Sequence, residues 1–96
     1  MANICENELR VFSEDCENIT AITAFFNNKF PYCSIDDVGD NSLVIYFDSK
    51  WDFPRLALED LIEKLHDKNE ISMQCLSVEW GNNYCEFHNY RDGEWV

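Results

Sequence analysis

Positive charge is what this chain has least of. Seven Lys and Arg stand against 19 Asp and Glu in 96 residues, a formal net charge of −12. A surface this negative repels nucleic-acid phosphates and anionic membrane alike, so neither is an expected partner. Proteins, cations and basic surfaces remain. Close cysteine pairs are missing too. The five cysteines stand at 5, 16, 33, 75 and 85 with no C-x-x-C spacing, which excludes a zinc ribbon or finger. An odd count argues against a secreted disulfide scaffold. The expected state is reduced, mostly buried thiols in a cytoplasmic protein, because free Cys packs as a small hydrophobe. The first residues, Met1 to Glu6, hold neither a basic stretch nor an apolar one, so no secretory signal is expected. The longest apolar run, Leu43-Val44-Ile45-Tyr46-Phe47, has strand length and falls far short of the roughly 18 residues that span a bilayer. No linker, repeat or low-complexity stretch interrupts the chain, and one domain over 1–96 is expected.

Aromatic side chains, by contrast, are plentiful. Seven Phe, four Tyr and three Trp make up 15% of the residues, and 46% are apolar. Disordered acidic chains lack such residues. The acidity therefore belongs to a folded surface around an efficiently used small core.

Glu8 to Ser13, with Leu9, Val11 and Phe12, reads as a first strand. Ser13-Glu14-Asp15 supplies capping oxygens and N-terminal acids for a helix over Cys16 to about Asn28, in which Ile19, Ile22, Phe26 and Phe30 keep helical spacing. Pro31 stops it. A second strand is expected over Tyr32–Val38, a turn at Gly39-Asp40-Asn41, and a third strand over Ser42–Asp48 that is apolar on both faces and so interior to a sheet. Asp52 and Pro54 open a second helix with Leu58, Leu61, Ile62 and Leu65 as its buried stripe, ending around Asp67-Lys68-Asn69. Ile71, Met73 and Cys75 alternate, as do Leu76, Val78 and Trp80, but with opposite parity. A bulge or sharp twist near Cys75–Leu76, or cover on both faces, would reconcile the two sets. Gly81-Asn82-Asn83 turns the chain into a strand over Tyr84–Asn89, and Arg91-Asp92-Gly93 turns it again into a short Glu94–Val96 segment.

The order strand, helix, strand, strand, helix, strand is that of a ferredoxin-like βαββαβ fold. The expected class is α+β: an antiparallel sheet with two helices on one face and an extra C-terminal strand or hairpin. The other face is expected to be open, with Trp and Tyr side chains partly covering it.

Three stretches bear on family. Met1 to Leu9, the run Tyr46-Phe47-Asp48-Ser49-Lys50-Trp51-Asp52-Phe53-Pro54, and the tail Val78 to Phe87 closed by Asp92-Gly93-Glu94-Trp95 resemble small phage- and plasmid-borne proteins of the YubB type. The resemblance implies a ferredoxin-like fold and a mobile-element origin. It carries over no catalytic residue, since that family has no assigned activity, and this chain is shorter than members with an added segment after the first helix.

No catalytic or metal site is expected, and no cofactor. Cys85 and His88 are three apart on a strand and face opposite ways. The acids Asp36, Asp37 and Asp40 do not have EF-hand spacing and read as a solvated turn. Glu14/Asp15/Glu17 and Glu59/Asp60/Glu63 read as charged helix surface. Trp51, Trp80, Tyr84, Tyr90 and Trp95, with Tyr46, are the candidate partner-binding set. They are either core or a protein-contact surface on the open sheet face. Base stacking would need basic neighbours, and only Lys50 and Arg91 are near. The expected function is a non-catalytic protein-interaction module. An acidic DNA-mimicking decoy of a nucleic-acid-binding protein is the alternative.

Overall fold

A computed structural model describes residues 4–39, 41–50, 53–66 and 68–96. The elements are β1 (Ile4–Phe12), α1 (Cys16–Lys29), β2 (Ser34–Gly39), β3 (Ser42–Lys50), α2 (Arg55–Glu63), β4 (Ser72–Glu79), β5 (Tyr84–Arg91) and β6 (Glu94–Trp95), with 3₁₀ turns at Lys68–Glu70 and Trp80–Asn82. The strands form one six-stranded sheet in the order β2-β3-β1-β4-β5-β6. Every neighbouring pair is antiparallel. The class is α+β, and two strands follow β4 to extend the sheet beyond it.

Register sorts the side chains into two faces. Leu9 lies opposite Ile45 and Cys75, Val11 opposite Leu43 and Met73, and Asn7 opposite Phe47 and Ser77. All of these are buried. Ile22 and Phe26 of α1 and Leu58, Leu61 and Ile62 of α2 join them in a single core cluster, so both helices pack on this one face. Phe26 meets Phe47 with ring centroids 4.9 Å apart, and Phe30 meets Phe47 at 4.8 Å.

β1 begins at Ile4 rather than Glu8. Asn7 occupies an inward position where an apolar residue would have shown the alternation. It is buried but satisfied: Nδ2 donates to the Phe47 carbonyl (3.2 Å) and to Ser49 Oγ (2.9 Å), and Oδ1 accepts from Ser77 Oγ (2.6 Å). Burial of an amide is tolerated when its hydrogen bonds are made, and here they tie three strands together.

α1 starts as expected, with the Asp15 carboxylate accepting from the Glu17 N–H at 2.9 Å. α2 ends earlier than its apolar spacing suggests. The N–H groups of Lys64 and Leu65 reach only to the carbonyls of Leu61 and Ile62, at 3.0 and 3.1 Å, which tightens the chain into a 3₁₀ turn. Leu65 stays buried beyond the helix. The expected cap at Asp52 lies outside the described residues; Pro54 holds the N-cap position without a side-chain cap bond. β2 starts at Ser34, after a turn through Pro31 and Tyr32.

β4 contains no bulge. Its register with β1 and β5 runs unbroken through Cys75 and Leu76. The two opposed apolar sets exist because β4 is apolar on both sides: Met73 and Cys75 face the helices, whereas Leu76 and Val78 face away. That second side carries no helix, so Leu76 is 37% exposed.

Candidate interaction surface

Two surfaces meet at β5. The pairing of β5 with β4 sets Tyr84, Glu86, His88 and Tyr90 opposite Glu79, Ser77, Cys75 and Met73, on the helix-covered side. Trp95 of β6 lies opposite Tyr90 and joins that side. Phe53, just before α2, stacks on His88 with centroids 3.8 Å apart and planes at 17°. Trp95 meets Phe53 and Tyr90 edge-on, both at 5.2 Å. The Trp95 indole N–H is buried with no acceptor among the described residues.

A cleft of about 530 Å³ opens in front of these rings, between the start of α2 and β5. Phe53, Pro54, Leu56 and Ala57 line one side, Tyr84, Glu86 and His88 the other, with Arg55 at the rim. One oxygen of Glu86 accepts from the Tyr84 hydroxyl and bonds His88 Nε2, each at 2.8 Å. The Tyr84 oxygen accepts the Phe53 N–H at 3.2 Å. The bonds from His88 and then Tyr84 hold the Glu86 carboxyl below its usual range, so it is ionised near neutrality. Arg55 sits over the Phe53 ring at 5.5 Å. The lining includes no Ser, Thr, Cys or Lys that His88 could activate. Cys85 is on the opposite face of β5.

The helix-free face carries a different row. Register aligns Tyr46 of β3, Glu8 of β1, Leu76 of β4 and Phe87 of β5 across four adjacent strands. With strands about 4.8 Å apart the row spans about 14 Å. Tyr46 is 43% exposed and Phe87 56%. Glu8 leans to Arg10, carboxylate to guanidinium at 2.9 Å. Phe12 lies on the same face beyond Val44 and Arg10. Glu6 and Asp48 lie directly opposite each other at its other end.

The candidate aromatics thus divide. Trp51 lies outside the described residues. Tyr90 is buried in the core and Trp95 packs against it. Tyr84 lies in the cleft. Trp80 is 76% exposed, in the turn after β4 rather than on a sheet face. Of the described Trp and Tyr residues in this set only Tyr46 lies on the helix-free face, while Tyr90 and Trp95 follow the core alternative. The apolar residues there include Phe12, Leu76 and Phe87 instead. Parity could have found them: Phe87 is out of phase with His88, and Leu76 and Val78 are the surplus apolar set of β4.

The thiols also divide. None is joined in a disulfide; Cys5 and Cys75 are buried, Cys33 is half-buried, and Cys16 and Cys85 are exposed, so fewer are buried than expected. Burial pushes the Cys75 thiol up from 9.0 to about 11. Of the middle acid group, Asp40 lies outside the described residues. Asp36 and Asp37 point to opposite faces of β2, and the Asp37 side chain accepts the Gly39 N–H at 2.9 Å. Among the described residues no helix is long and apolar enough to cross a membrane.

Neither protein-family models, nor curated proteins, nor solved structures yield a match to this chain.

Proposed function

We propose that the chain is a non-catalytic protein-interaction module that meets its partner through the helix-free face of the sheet. The observation that carries this is the cross-strand row in which the partly exposed Tyr46, Leu76 and Phe87 stand about Glu8, itself paired to Arg10, with the carboxylates of Glu6 and Asp48 beyond. An apolar strip with a charged rim is the anatomy of a contact surface. With a chain charge of −12, its complement is a basic protein surface bearing an apolar anchor. Nucleic acid and anionic membrane are disfavoured by the same charge. Five cysteines without a disulfide among them support a reducing, cytoplasmic setting.

The finer fold belongs to this proposal. The segment β1-α1-β2-β3-α2-β4, with its strands ordered 4-1-3-2 within the sheet, is a ferredoxin-like unit, and β5 and β6 are an addition on its β4 edge. Kinship with YubB-type proteins of mobile elements rests on the sequence stretches quoted above.

The test is affinity purification from the source cell with the wild type and with Leu76→Asp/Phe87→Asp, folding being checked by circular dichroism. A protein held by the wild type and lost by the folded variant is the expected outcome. The same proteins held by both would count against the reading.

A second reading is the acidic decoy. One observation favours it: Glu6 and Asp48 are directly opposed like charges, which costs stability and so is not explained by folding. Such a decoy would bind a basic nucleic-acid-binding protein with an affinity that falls steeply with salt. Binding that survives high salt but not Leu76→Asp favours the apolar strip.

A further inference from the structure

The outer edge of β5 is only partly covered. β6 pairs with Tyr90 and Arg91, and the Val96 N–H donates to the Asn89 carbonyl at 2.8 Å. That last bond fixes the direction of the backbone. Asn89 points its polar groups away from β4, so by the alternation of an antiparallel strand Phe87 and Cys85 do the same. Among the described residues nothing pairs with the outward N–H and C=O of either. Both residues are exposed.

The two ends of the sheet differ. At the other edge, β2 carries Asp36 and Asp37 and its register shifts between Asp37 and Gly39, which blunts it against added strands. The Cys85–His88 stretch of β5 has no Lys, no Pro and no shift in its pairing with β4. The cleft in front of Glu86 opens along this same stretch.

We propose that an extended basic peptide segment of a partner adds as a strand to the edge of β5 at Cys85–Phe87, placing a Lys or Arg side chain against Glu86 in the cleft. Main-chain bonds to Cys85 and Phe87 supply the docking, as in other cases of strand addition. Side chains of the incoming strand alternate between faces. Those on the helix side reach the cleft, where a residue opposite Glu86 has its Cβ about 5 Å from that of Glu86. There the ionised Glu86 carboxylate takes a cation and Leu56, 81% exposed, takes the apolar stem. Arg55 lies over the Phe53 ring and adds a weak favourable field at Glu86, while His88 and Tyr84 occupy a single Glu86 oxygen, Oε1, so that the incoming cation meets the other. Side chains on the other face lie beside Phe87 and lengthen the apolar row. A second copy of the chain is a poor occupant, since it would bring together two molecules of charge −12. This inference rests on the reading of the chain as an interaction module and names how the partner is held.

The probe is the peptide Lys-Val-Lys-Val-Lys-Val-Lys, with Glu-Val-Glu-Val-Glu-Val-Glu as its control, both end-blocked. Amide exchange of the ¹⁵N-labelled protein is followed by NMR. The basic peptide should slow exchange at Cys85 and Phe87 and the acidic one should not. Glu86→Gln should weaken binding about threefold, the size of an exposed ion pair. Phe87→Pro, which removes an outward N–H, should abolish it. If that variant does not fold, the wild-type exchange map and Glu86→Gln decide. Exchange protection at Cys85 and Phe87 reads the β5 edge alone, whereas the Leu76→Asp/Phe87→Asp purification reads the helix-free face, so loss of the face reading and loss of the edge reading are told apart. Equal binding of both peptides, protection elsewhere than at the β5 edge, or an edge filled by a second copy in sedimentation would overturn the proposal.

Discussion

The side-chain amide of Asn18 bonds both backbone groups of His66, donating to its carbonyl at 2.7 Å and accepting from its N–H at 2.9 Å. The start of α1 is thereby stapled to the segment that leaves α2, and both helices are held on one side of the sheet. Asn18 is 1% exposed.

Asn18→Ala should therefore cost more than a helix-surface change. It leaves two backbone groups of His66 without their partner, a loss of about 2–3 kcal/mol. For a domain of this length that lowers Tm by roughly 10 °C or more. Urea unfolding of the variant checks it, with the midpoint expected to fall at an unchanged slope.

Asn18 was not legible in the sequence, because a polar residue early in a helix reads as surface. The helix itself was, from Ile22 and Phe26 at helical spacing, the Asp15 cap and the Pro31 stop. The same contrast recurs at β1, where Asn7 hid the inward alternation, and at β4. There Leu76 and Val78 looked like a register conflict because periodicity assigns one face to the core and assumes the other is polar. An open but apolar face breaks that assumption. Tyr84, Tyr90 and Trp95 stood out by residue type, yet the pairing of β5 with β4 turns them to the helix side. Phe87, less conspicuous in sequence, faces out.

The buried amide of Asn7 and the hydroxyl of Ser77, 2.6 Å apart, should be coupled. Ser77→Ala alone should cost about 1–2 kcal/mol by leaving Asn7 Oδ1 short of a donor. Asn7→Val alone should cost more. The double variant should cost less than the sum by about 1 kcal/mol, which a double-mutant cycle in urea measures.

The thiols give a pH prediction. Cys75 titrates at about 11 in the fold against 9.0 ordinarily. Its folded pKa is raised, so its contribution is fully present below pH 9.0 and is lost as pH rises through about 11. Stability should fall across that window by up to about 1.4 kcal/mol per pH unit from this group. Cys75→Ala should flatten that alkaline arm relative to the wild type at the same temperature. In native protein, maleimide should label Cys16 and Cys85 first and leave Cys5 and Cys75 until unfolding, as mass spectrometry of digests would show.

The helix-free face is tested most directly by a photo-crosslinking side chain, benzophenone-alanine, placed at Tyr46, at Phe87 or at Glu59 on the exposed side of α2, followed by irradiation in the source cell. One and the same protein joined through positions 46 and 87, and not through 59, is the expected result. Crosslinks formed through 59 alone, with none through the sheet, would contradict it.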